Sequence, residues 1–250
     1  MPLHNPTQSP SQTGQPSQSA TTAISASTAV AALRDASDPC DLLAALFRIT
    51  PAFGAHASAC VHVVPDPERA PHLFVLLACE PERAYSHLQR ESALDHPWLR
   101  YARAHSEPAW AASLQPAFPA QDHSGPVLIV PTHSGGVTGR FGALMLEMVT
   151  SDCGSSEKNE QRVLAEGIAH ELHDWWMRRT RAELQREARL RSTDLQLLAL
   201  ERQGLGTKQI ARMIDSTLLA VDSRFQRINT KLGVANRRHA ALRAAIHGLL

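Results

Sequence analysis

The sequence predicts two domains of different class: an α+β sandwich on an antiparallel sheet over residues 28–176, and an all-α unit of four short helices over 189–250. Three observations carry this. Between Thr28 and Trp176, helix-spaced apolar residues alternate with short strand-type runs in the order helix, two strands, helix, two strands, helix, as in small sandwiches with helices packed on a sheet. From Leu190 onward, four helix-like segments are punctuated by Gly204, Asp215-Ser216 and Gly233. Charge also divides: residues from Arg178 onward hold 15 Lys/Arg against 6 Asp/Glu, and those before it 10 against 18. A basic half beside an acidic one suggests that one domain meets a polyanion.

Residues 1–27 are rich in Ser, Gln and Pro and poor in apolar side chains, so they are expected to be disordered. They lack the basic start and apolar core of a signal peptide. No apolar run reaches the ~18–20 residues of a membrane span, and the expectation is a cytoplasmic protein without a membrane partner. Cys40, Cys60, Cys79 and Cys153 are far apart, which predicts free thiols rather than a disulfide framework or a thiolate metal site.

The first helix is expected from Thr28, with Val30, Leu33, Leu42, Leu43, Leu46 and Phe47 at helical spacing. Ala59–Val64 and His72–Cys79 read as a strand pair across Pro65-Asp66-Pro67. Ala84–Ala104 begins as a helix that Pro97 either breaks or restarts at a new first turn. Val127–Val130 and Phe141–Val149 form the second strand pair, joined by a turn at His133-Ser134-Gly135-Gly136. From about Glu157, Leu164, Ile168, Leu172 and Trp176 lie four apart on one helix face. Residues 177–188 continue that helix as a charged, exposed connector.

The last domain reads as helices over Thr193–Gln203, Thr207–Ile214, Leu218–Leu232 and Arg237–Ile246. Gly204 suits a helix C-terminus and Thr207 a cap. Val221, Phe225, Ile228 and Leu232 share the inner face of the third helix, and Asp222, Ser223, Arg224, Gln226, Arg227 and Asn229 its outer face. Two short helices, a tight turn and an amphipathic second helix make a helix-turn-helix, whose second helix enters the major groove. Arg and Gln suit bidentate contacts to guanine and adenine. Lys208, Lys231 and Arg237 stand at helix ends where phosphates would be met. The candidate DNA-contact set is Thr207, Lys208, Ser223, Arg224, Gln226, Arg227, Lys231 and Arg237.

Gln203-Gly204-Leu205-x-x-Lys208-x-Ile210-Ala211, Val221, Ile228-x-x-Lys231-Leu232-Gly233-Val234, Asn236-Arg237 and the closing His247-Gly248-Leu249-Leu250 together resemble the LuxR-type DNA-binding domain over about 60 residues. Asp194 and Gln196 stand where that family has Glu, Asp215 replaces its turn glycine, and Leu218-Leu219 replace a usually polar helix start. Upstream, Pro97-x-x-Arg100-x-Ala102-Arg103 and Pro126-Val127-x-Ile129-x-Pro131 resemble the family's signal-binding domain, an α-β-α sandwich with a GAF- or PAS-like antiparallel sheet. The resemblance implies a quorum-sensing type of transcription regulator. Its partners would be promoter DNA, a second copy of the chain, a small-molecule signal and, as a candidate contact, RNA polymerase. The other reading is a regulator that acts through protein contacts with transcription proteins and takes no ligand.

In the lactone-binding branch an Asp accepts the ligand amide, and here His96 falls at that place, with Asp95 one residue early. Trp110 lies near the position of a pocket tryptophan, and Tyr85 is the nearest upstream aromatic. Tyr85, Asp95, His96 and Trp110 are therefore the candidate ligand residues, and acyl-homoserine lactones are not the expected ligand. His170-Glu171-Leu172-His173-Asp174 misses the zinc-protease spacing by one residue, because the second His belongs at 174. Trp175-Trp176 are expected to pack on the sheet or on a second subunit. Nothing resembles a nucleophile elbow, a phosphate loop or paired catalytic carboxylates, so neither an enzyme nor a cofactor or metal protein is expected.

Overall fold

The computed structural model describes Thr28 and residues 30–78, 93–114, 126–134, 139–149 and 155–250. Tyr85, Cys79, Cys153, the helix expected over 84–92 and the Gly135-Gly136 turn lie outside them.

Residues 30–35 are helical and lead into α1 (Pro39–Ala52). Pro39 suits its first turn, where no N–H is needed, and the Asp38 carboxylate accepts from the Cys40 and Asp41 N–H groups at 2.7 and 2.9 Å. The strands are β1 (Ala55–Val64), β2 (His72–Ala78), β3 (Ala109–Trp110), β4 (Val127–His133) and β5 (Phe141–Met148). They form one antiparallel sheet in the order β2-β1-β5-β4-β3. Between β2 and β3 lies α2 (Pro97–Ala104), which starts at Pro97 with His96 as its N-cap.

Alternation along each strand sends side chains to two separate cores. Cys60, Leu128, Val130, Leu144 and Leu146 face a cluster with Leu42, Leu46 and Ile49 of α1 and Ile168, Leu172, Trp175 and Trp176 of α3 (Ser155–Ala188). Val61, Val63, Val127, Ile129, Phe141 and Met145 face the opposite way, onto Leu99 and Ala102 of α2. The domain is thus α+β with helices on both faces of a five-stranded sheet.

Two expectations change here. β4 runs to His133 rather than stopping at Val130, with Pro131 paired to Ala143. Pro131 is tolerated because β3 pairs with β4 only through Leu128 and Ile129, so among the described residues no strand needs the missing N–H. The 177–188 stretch does continue α3, but not as an exposed connector: Leu184 and Ala188 are buried in the C-terminal core. With 34 residues, α3 is about 51 Å long and serves the α1-side core of the sheet domain and the C-terminal core.

That third core binds α4 (Ser192–Arg202), α5 (Thr207–Met213), α6 (Leu218–Leu232) and α7 (Arg237–Ile246) through Leu197, Leu198, Ile210, Val221, Phe225, Ile228, Leu232 and Ala240. Thr217 caps α6 by accepting from Ala220 N–H at 3.2 Å, and Asn236 caps α7 by accepting from His239 N–H at 2.9 Å. Gly233, at φ +64°, ends α6 in the left-handed region that glycine enters without strain. Among the described residues no helix is long and apolar enough to cross a membrane.

Candidate nucleic-acid interface

Helices α5 and α6 are joined by a tight turn. Ser216 N–H donates to the Ala211 carbonyl at 2.9 Å, and Asp215 takes φ +48° where the resembling family has glycine. Burial of Val221, Phe225, Ile228 and Leu232 then fixes the rotation of α6. Asp222, Ser223, Gln226 and Arg227 are left exposed and Arg224 partly so. Lys208 and Arg212 stand exposed on α5. Lys208, Arg212, Arg224 and Arg227 have no ion-pair partner among the described residues, so four cations on this surface lack a counter-charge.

The other three residues of the candidate set are committed inside the domain. Thr207 does not cap α5: Gly206 is the N-cap, and the Gln209 side chain accepts from the Gly206 N–H at 2.9 Å. The Thr207 hydroxyl donates to Asp222 at 3.3 Å and accepts from Arg237 at 2.6 Å. Arg237 also pairs with Glu201 at 3.0 Å and lies 5.6 Å from the Phe225 ring centre. It ties α7 to α4, α5 and α6 at once. Lys231 donates to Asp194 at 2.8 Å and to the Arg189 carbonyl at 3.2 Å. Burial raises the Asp194 pKa, but the bonds from Lys231 and from the Arg191 N–H outweigh it and hold the carboxyl below its usual range.

In the sheet domain the candidate ligand residues are divided between the two faces. Trp110 stands opposite Leu128 in the β3–β4 pair and packs against the cluster on the α1 and α3 side. His96 starts α2, whose Leu99, with Leu94 and Trp98 beside it, packs on the other side. The His96 ring is buried, its Nδ1 accepts from the Trp98 N–H at 3.4 Å, and the two rings meet edge-on at 4.9 Å. Asp95 is exposed in a short 3₁₀ turn. Trp110 thus packs on the α1 and α3 side of the sheet, and His96 caps the helix on the other side. On α3, His170 is exposed and its Nδ1 bonds the Glu166 carbonyl, while Glu171 pairs with Arg34. His173 turns inward, and among the described residues no three His, Cys, Asp or Glu side chains converge as metal ligands.

One polar cluster gave no signal in the sequence. Arg140, just before β5, is 1% exposed and donates to the Thr180 hydroxyl at 2.6 Å, His62 Nε2 at 3.1 Å and the Ile246 carbonyl at 2.7 Å. His173 lies 4.8 Å from the His62 ring centre and bonds Thr132 at 3.2 Å and Ser134 at 3.0 Å. Burial, followed by the nearby charges, pushes the His62 pKa to about 2 and those of His173 and His247 to about 4. Burial also lowers Arg140 to about 10, so it stays the charged member among neutral imidazoles. These contacts join the sheet domain to α7, with Glu68 adding a bond to the Ala235 N–H at 2.7 Å and one to His239 at 2.6 Å.

No protein-family model matches the chain, and neither does any curated protein. Solved structures do. SdiA from Escherichia coli superposes with a TM-score of 0.69 at 15% identity, covering 90% of this chain and 97% of SdiA. SdiA in complex with octanoyl-rac-glycerol gives 0.66 at 12% identity, with 94% and 98% covered. CepR2 from Burkholderia cenocepacia, described as an N-acylhomoserine lactone dependent LuxR family transcription factor, gives 0.52 at 13% identity, covering 63% of this chain and 97% of CepR2. The chain shares its fold with SdiA and CepR2. The SdiA superpositions take in nearly the whole length, sheet domain and C-terminal helices together.

Proposed function

We propose that this chain is a DNA-binding transcription regulator acting in the cytoplasm as a homodimer. Its four C-terminal helices form a helix-turn-helix reader, and its α-β-α domain, of GAF or PAS type, takes a small-molecule signal. The observation that carries the reading is α6. Its inner face is locked by four buried apolar residues, and its outer face presents Ser223, Arg224, Gln226 and Arg227 with no internal ion-pair partner among the described residues. A recognition helix needs that combination of fixed rotation and unspent hydrogen-bonding capacity.

Within this reading Arg224 and Gln226 face base edges, and Ser223, Arg227 and Lys208 meet the backbone. Lys231, Arg237 and Thr207 act by bracing α6 against its neighbours, since their polar atoms already have internal partners. Two copies would place two α6 helices in successive major grooves, about 10 bp apart, on a palindromic site. For the signal, the bound octanoyl-rac-glycerol of SdiA and the lactone dependence of CepR2 support an amphiphile with an acyl chain.

Selection of duplexes from a random-sequence library with the full-length protein tests the proposal. A palindromic consensus whose binding resists competition by bulk DNA is the expected result. Enrichment of no sequence, with binding that bulk DNA abolishes, would reject it.

A further inference from the structure

We infer that Leu219, with Leu218 beside it, reads thymine through its 5-methyl group in the major groove; this rests on the DNA-reading role proposed above. Leu219 is 81% exposed, Leu218 51%, and Met213, at the end of α5, 63%. Isolated surface leucines need no explanation. These three instead flank one turn, on a domain whose Leu197, Leu198 and Leu232 are buried.

Helical geometry places Leu219 on the outer face of α6. Positions 219, 222, 223 and 226 follow the i, i+3, i+4, i+7 spacing of one stripe, so Leu219 sits one turn before Asp222 and Ser223 and two before Gln226. It lies in the first turn of α6, and N-terminal residues of a recognition helix are those that contact base edges. Of the four bases, only thymine offers the major groove an apolar group, its C5 methyl. An exposed leucine there has one complementary base.

Charge identifies the occupant. Lys208 and Arg212 on α5, and Arg224 and Arg227 on α6, have no counter-ion among the described residues. A second copy docked on this patch would bring two such surfaces into like-charge contact, which is costly. A polyanion with apolar points inside its groove satisfies both the cations and the leucines.

The test uses full-length protein and the duplex selected from the random library, compared with the same duplex carrying uracil for thymine at single positions. Uracil lacks only the methyl. At one thymine per half-site the substitution should weaken wild-type binding about three- to fivefold, the worth of one buried methyl. Leu219→Ala and Leu219→Gln should bind the two duplexes equally while keeping the preference at the remaining positions. Sequence-selective binding with no effect of uracil at any position would overturn the inference and leave the regulator reading standing. So would a thymine preference that survives in both Leu219 variants. If the Leu219 variants instead change the sedimentation mass and not the thymine-to-uracil ratio, the patch meets a second copy, and the inference fails. A library that yields no consensus removes the DNA reading and this inference together.

Discussion

The Arg140 guanidinium donates to the main-chain carbonyl of Ile246 at 2.7 Å, joining the start of β5 to the last turn of α7 across 106 residues of chain. A buried arginine normally demands a carboxylate. Here the positive charge sits on the Ile246 carbonyl at the C-terminal end of a helix, where the macrodipole is negative, and Nη2 donates to Thr180 and His62, while the buried Nε–H has no partner among the described residues. The bond spans the two domains, so its loss should be felt by both.

Arg140→Met keeps the volume and removes the donors, leaving the Ile246 carbonyl and His62 Nε2 unbonded inside the protein. Each such loss costs about 1–3 kcal/mol. Global stability is expected to fall by about 2–4 kcal/mol, and the single calorimetric transition to separate into two as the domains uncouple. A single transition at the wild-type temperature would show that the bond does not hold the domains together.

Acid should loosen the same junction. His62, His173 and His247 have pKa values near 2, 4 and 4 in the folded chain, against an ordinary 6.5. Between about pH 6.5 and 4 the unfolded chain binds protons that the folded chain refuses, so stability drops as pH falls through that window. Each fully titrating histidine contributes up to about 1.4 kcal/mol per pH unit. Urea unfolding at pH 7 and pH 5 measures this. His173→Gln, which retains hydrogen bonding toward Thr132 and Ser134, should flatten the slope, and an unchanged slope would exclude His173 as a source.

Gly142 is required by its neighbours rather than by its own backbone. A Cβ there would stand 2.7 Å from the Thr132 hydroxyl and 2.9 Å from the Val61 carbonyl, and the latter belongs to the sheet itself. Gly142→Ala should therefore cost about 1–3 kcal/mol and disturb the His173–Thr132 bond. Chemical denaturation, with the His173 proton resonance as a local probe, checks both parts.

Acyl-homoserine lactones should not bind through His96. Its Nδ1 already accepts the Trp98 N–H at 3.4 Å, so that nitrogen is engaged within the chain. A ligand amide N–H needs an acceptor. Lactones at about ten micromolar should leave the melting temperature unchanged, since a bound ligand must stabilise the fold by mass action. An upward shift with any lactone would contradict this.

How far the sequence reaches depends on the range of the interaction. The amphipathic spacing of Val221, Phe225, Ile228 and Leu232 and the glycine at 233 are local, and the sequence reading placed α6 and its end where the structure has them. Lys231 and Arg237 look outward in a linear reading because their partners, Asp194 and Glu201, lie on α4, more than 30 residues upstream. Thr207 looks like the cap in a linear reading because Gly206 has no side chain to advertise the role, and the Gln209 amide supplies it instead. The face taken by Trp110 rests on a two-residue strand, too short to show alternation. Leu184 and Ala188 form so narrow an apolar stripe that the end of α3 reads as exposed connector rather than core.

The central claim is that the outer face of α6 reads base sequence. It is tested most directly by measuring the affinity of wild-type protein, Arg224→Ala and Gln226→Ala for the selected duplex and for a scrambled duplex at one salt concentration. Each base-edge contact is worth about 1–3 kcal/mol of discrimination, and phosphate contacts discriminate nothing. Both variants should therefore lose about ten- to hundredfold on the selected duplex and little on the scrambled one. Equal losses on the two duplexes, or none on either, would contradict the account.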